Sequence, residues 1–166
     1  MKGEIMITLF EFIMLSLLLG CTLLGTWELD RVMKNKGYKV NNTVNLLIMT
    51  VVTTALILFG GFSVWTVKGI ALALILLYAS VQDMTEKKMD DFLWVMVLLL
   101  CISNASNLSL LSMLGGAFIT LVPTMAFVML SKGKGIGGAD IKMSAACGLC
   151  LGFMGGAIGY MIGLLF

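Results

Sequence analysis

Asp83 and Asp140 are the residues of this sequence best placed to do chemistry. Asp83 follows the apolar run 69–81, and Asp140 stands in Gly135-Ile136-Gly137-Gly138-Ala139-Asp140-Ile141-Lys142, ahead of another apolar run. An ionisable group at membrane depth costs roughly 2.5–3.5 kcal/mol on insertion scales, so acids kept at the ends of such runs call for a functional explanation. Two neighbouring aspartates share one proton: one carboxylate activates water while the other protonates the carbonyl oxygen or leaving amine of a peptide bond. Such a pair works without a metal, and its protonation steps belong to the pair, not to either residue. Glycines beside Asp140 permit unusual dihedrals and let a substrate backbone come close. The plainer reading is that each aspartate is a solvated cap, since Asp near the start of a helix complements its dipole.

Other chemistries fall away by inventory. The chain has no histidine, which excludes Ser-His-Asp and Cys-His hydrolysis and His-ligated metal sites. Cys21, Cys101, Cys147 and Cys150 all lie in apolar stretches, where cysteine acts as a small hydrophobe. Cys147 and Cys150 have C-x-x-C spacing, but no second such pair completes a tetrahedral site, so packing is the preferred reading. The Gly-rich loop lacks the G-x-x-x-x-G-K-[ST] pattern, and an Asp is electrostatically wrong beside phosphate. No metal or cofactor is expected.

The elements that must position the two aspartates are membrane helices. Of 166 residues, 60% are hydrophobic and 12% charged, and the mean hydropathy is +1.05, far from a soluble domain. Apolar runs predict an all-α bundle of six spans at about 5–25, 44–61, 65–82, 92–104, 108–130 and 143–166, within a single transmembrane domain 1–166. The fourth is short for a crossing. Residues 26–43 are expected to be a short charged loop, with 27–34 as a surface helix the less favoured reading. The ridges Gly148, Gly152, Gly156 and Gly155, Gly159, Gly163 predict close helix packing in lipid.

Basic residues in short loops stay on the cytoplasmic side. Arg31, Lys34, Lys36 and Lys39 follow the first run, Lys87 and Lys88 the third, and Lys132, Lys134 and Lys142 the fifth, while the turns at 60–63 and 103–107 carry none. Both termini are therefore expected outside, and Asp83 and Asp140 share the cytoplasmic face. Leu19-Gly20-Cys21 resembles the end of a lipid-attachment motif, but Glu11 interrupts the preceding run and export would carry the Arg31–Lys39 cluster across the membrane, so an uncleaved helix is expected. The dispersed basic residues form no stripe suited to nucleic acid.

Two segments resemble the bacterial type IV prepilin peptidases, relatives of archaeal preflagellin peptidases and more distantly of presenilin-type GxGD proteases. Residues 135–142 look like that family's G-x-G-D-x-K segment, with Ala139 in place of the glycine before the aspartate. Residues 83–91 look like its Asp, basic residues, Ile-Pro-Asn segment, with Met89-Asp90-Asp91 where Ile-Pro-Asn is usual. The resemblance covers about residues 44–166. It implies Asp83 and Asp140 as the catalytic pair, supported by Gly135, Gly137, Gly138 and Lys142; Lys142 serves equally well as a snorkelling interfacial lysine. It implies a prepilin or pseudopilin substrate cut at the cytoplasmic boundary of its hydrophobic helix, in a cell membrane. Larger relatives have a cysteine-tetrad domain after the first span and methylate the new amino terminus. Only residues 26–43 stand there, without cysteine, so neither methyl transfer nor an S-adenosylmethionine requirement is expected. The competing readings are a small proton or cation transporter using the same carboxylates and a structural subunit assembling through its glycine ridges.

Overall fold

A computed structural model describes residues 2–87, 89–103, 109–130 and 137–165, with side chains from residue 13 to residue 163. It contains α1 (Lys2–Asn35), α2 (Asn42–Gly60), α3 (Val64–Glu86), α4 (Asp91–Ile102), α5 (Leu110–Leu130) and α6 (Gly138–Leu165). No strand occurs among the described residues, and the all-α expectation holds. Among the described residues five helices are long and apolar enough to cross a membrane. The 12 residues of α4 cover about 18 Å at 1.5 Å each, less than about 30 Å of hydrocarbon, so a crossing at α4 needs the residues that flank it. The chain forms two compact units, Met1–Thr85 and Glu86–Phe166.

In the first unit α1 continues through residues 26–35, where a loop was expected. Thr26, Asp30 and Met33 recur at helical spacing and are fully buried. Glu28, Arg31 and Lys34 stay exposed, with Arg31 paired to Glu28 at 3.7 Å and its guanidinium over Trp27. Average hydropathy registers the charged face and misses the buried one. Gly37, at φ 87, closes the helix: its N–H donates to Lys34 O at 2.9 Å and Tyr38 N–H to Met33 O at 3.0 Å, the pairing that satisfies terminal carbonyls. Met33, Tyr38, Met49 and Leu77 form a core joining α1, α2 and α3. Above it Lys36 Nζ donates to the Tyr78 hydroxyl at 2.9 Å.

In the second unit α5 and α6 run antiparallel at close range. Gly116 lies against the backbones of Gly148 and Gly152. Thr120 Oγ1 donates to Ser144 O at 3.0 Å, and the Thr124 and Ser144 hydroxyls lie 3.3 Å apart. At the other end Phe153 N–H donates to Ser112 Oγ at 3.2 Å. The ridge Gly148, Gly152, Gly156 thus meets α5 as expected. The second ridge does not: Gly155 and Gly159 lie nearest their own helix's Leu151, and Gly163 faces open space. Gly152 adopts φ 72 and breaks α6 internally. α4 packs on α6, burying Leu93, Val97 and Cys101 on one face.

Candidate active site

α6 begins at Gly138, ahead of the start expected from hydropathy, and so takes Asp140 into its first turn. The reason is local. Gly137 N–H donates to Asp140 Oδ2 at 3.0 Å, and Asp140 N–H donates to Gly137 O at 3.1 Å. This is one half of a capping box, the side chain three residues on reaching back to the N-cap N–H, with Asp in the place usual for Glu; Gly137 has no side chain to return the bond and accepts through its backbone carbonyl. A carboxylate here satisfies a donor that the helix leaves open and complements the dipole. Hydropathy is blind to these polar contributions, which accounts for the difference in boundary.

The glycines around Asp140 act through their size. Neither Gly137 nor Gly138 is among the residues with positive φ, so the unusual dihedrals expected of them are not used. A Cβ on Gly138 would meet nothing within 4 Å, and one on Gly137 would meet only Asp140 Oδ2 at 3.5 Å. Asp140 itself is half-buried. Gly135 lies outside the described residues.

Lys142 turns to another partner. Its Nζ donates to Asp91 Oδ1 at 2.9 Å and stands over the Trp94 ring, 5.7 Å from the centroid. Trp94 Nε1–H donates to the same Asp91 oxygen at 3.2 Å. The Lys142 hydrogen bond, then the Trp94 hydrogen bond and the Lys142 charge, hold the Asp91 carboxyl below its usual range. Asp91 and Trp94 were not singled out as site residues from sequence. Their signal is faint: an acid and an indole one turn apart at the start of a short helix.

Asp83 belongs to the first unit and lies exposed in the last turns of α3. The helix stops at Lys87, whose φ of 53 ends the spiral. Both Asp83 and Glu86 sit at the negative end of the helix dipole, with no basic residue in the last turn. An acid at that end is disfavoured by about 0.3–1 kcal/mol, so capping explains Asp140 and leaves Asp83 unexplained. One face of the same turn, Ser80, Val81 and Met84, lines a cavity of about 550 Å³ running between α2 and α3 past Ile48, Met49 and Leu77. A larger cavity of about 890 Å³, lined by Ser112, Gly115, Phe118 and Phe153, lies toward the end of α5 remote from Asp140 and contains no titratable side chain. Among the described residues no three His, Cys, Asp or Glu side chains gather as metal ligands.

The candidate site residues are thus one capping carboxylate on α6 and one carboxylate on α3 that no capping role accounts for. Comparison with curated proteins and with solved structures gives no match. A sequence model of the type IV leader peptidase family matches residues 70–166, a segment that begins within α3, takes in both carboxylates and makes up more than half the chain, and the chain therefore belongs to that family of proteases.

Proposed function

We propose that the protein is a membrane aspartic endopeptidase that removes the leader of type IV prepilins or pseudopilins at the cytoplasmic face, with Asp83 and Asp140 as its catalytic pair. The observation that carries the reading is the position of Asp83: a carboxylate at the wrong end of its helix for capping, inside the family match. Asp140 is preorganised by Gly137 at 3.0 Å, and the bare glycine beside it leaves room for a peptide backbone. In the reaction one ionised carboxylate takes a proton from water as the water oxygen bonds to the scissile carbonyl carbon. The other, protonated, carboxyl delivers its proton to the carbonyl oxygen. Collapse of the tetrahedral species breaks the C–N bond: the leaving nitrogen takes the proton that the first carboxyl had removed from water, and a diol hydroxyl returns its proton to the second. A basic leader is drawn by Asp83, Glu86, Asp90 and Asp140, Asp91 being engaged by Lys142, and the cavity between α2 and α3 suits the apolar segment that follows it.

The test is reconstitution with a pilin-like substrate, comparing wild type with Asp83→Asn and Asp140→Asn. Each variant keeps the shape and loses the ability to hold the shared proton. Cleavage by wild type and its loss in both variants is the expected result. Retention of cleavage in either one removes that residue from the chemistry.

A further inference from the structure

Lys142 is a cation in the early turns of α6, where the helix dipole repels positive charge, and nothing about crossing a membrane requires it there. Its ammonium makes two contacts with α4, the Asp91 carboxylate and the face of Trp94, and the Trp94 indole N–H donates to the same Asp91 oxygen. A surface ion pair alone contributes little, and these side chains are 51% and 73% exposed. Its value lies in geometry. Residues two apart on a helix point to nearly opposite sides, so fixing Lys142 against α4 turns Asp140 away from α4. Residues four apart share a face, and Ser144, four positions on from Asp140, is held by Thr120 and Thr124 of α5. The start of α6 is thus tied on one side to α4 and on the other to α5. The first turn of α4 is held by this polar contact and by the burial of Leu93.

We infer that Asp91 and Trp94 are positioning residues of the peptidase: they clamp Lys142 and thereby set the rotation of the first turn of α6 that presents Asp140 to the substrate. This rests on the proposed role of Asp140. Small misplacement of a catalytic group costs up to about a hundredfold in rate, so a weak contact can matter greatly to turnover and little to stability.

The experiment is a double-mutant cycle on leader cleavage by the full chain in detergent micelles, with the thermal midpoint recorded for each variant. Asp91→Asn and Lys142→Met should each lower kcat about tenfold with KM within about twofold, and the double variant should be no slower than the slower single one. Asp91→Glu, which can still accept from Lys142, should recover most of the rate, and Trp94→Phe, which keeps the ring face and loses the indole donor, should fall between. Midpoints should stay close to wild type. Wild-type kcat in Asp91→Asn, losses that multiply in the double variant, or a rate that follows the midpoint across the series would each overturn the inference. If Asp91→Asn does not fold, Trp94→Phe with Lys142→Met forms the cycle. Absence of cleavage by wild type itself counts against the peptidase proposal; cleavage by wild type with an unaffected cycle counts against the clamp alone.

Discussion

Gly116 and Gly148 bring α5 and α6 into backbone contact: a Cβ placed on Gly148 would run into Gly116 O and Thr120 Oγ1, and one on Gly116 into Gly148 O and the Gly152 carbonyl. Backbone cannot yield as a side-chain tip can. Gly148→Val should therefore destabilise the chain by at least the roughly 1–3 kcal/mol typical of overpacking, read as a lower thermal midpoint in detergent. Gly20→Ala in α1, where a Cβ meets nothing within 4 Å, should be neutral or gain up to about 1 kcal/mol of helix propensity.

The contribution of the Asp91–Lys142 pair should depend on pH with a definite sign. The folded-state carboxyl ionises below the ordinary value of 3.8 because Lys142 and Trp94 donate to it. A lowered value in the folded state means that the pair stabilises above pH 3.8 and loses that contribution as pH falls through the lower folded-state value. The midpoint difference between wild type and Asp91→Asn should be small and constant near neutral pH, and should close only below the ordinary aspartate range. Added salt at pH 7 should shrink it as well.

Asp30 is fully buried in the first unit, and Asn45 Nδ2 donates to its Oδ1 at 2.7 Å. Its Oδ2 has no partner among the described residues. Removing the one donor should cost more than removing both groups: Asn45→Ala should destabilise by about 1–3 kcal/mol, whereas the Asp30→Leu/Asn45→Leu double variant should lose less. Equal or greater loss in the double variant would show that packing, not polarity, dominates this site.

The proposed orientation predicts which loops face the cytoplasm. In a background with Cys21, Cys101, Cys147 and Cys150 replaced by alanine, Lys87→Cys should react with a membrane-impermeant thiol reagent only after the inner face is opened. Phe62→Cys, in the turn between α2 and α3, should react in intact cells. The reverse pattern would place Asp83 on the outer face and end the proposal of cytoplasmic cleavage.

Much of this molecule is written in composition and local pattern. Apolar runs alone were enough for an all-helical membrane chain, because lipid offers the backbone no hydrogen-bond partner and leaves few structures open to it. Asp83 and Asp140 stood out for the same reason, as charges at the edges of runs that otherwise exclude them. What depended on contacts between distant residues was not legible. The continuation of α1 to Asn35 rests on burial of Thr26, Asp30 and Met33, which an average over the charged outer face conceals. Of two glycine ridges with the same spacing, only the one that meets Gly116 packs, and spacing carries no information about the partner. Lys142 could be seen as a lysine near a membrane edge; its bond to Asp91, across α4 and α6, exists only because folding brings the two helix starts together. Tertiary structure decided these matters because each depends on which faces meet, and a one-dimensional pattern records the faces without recording the meeting.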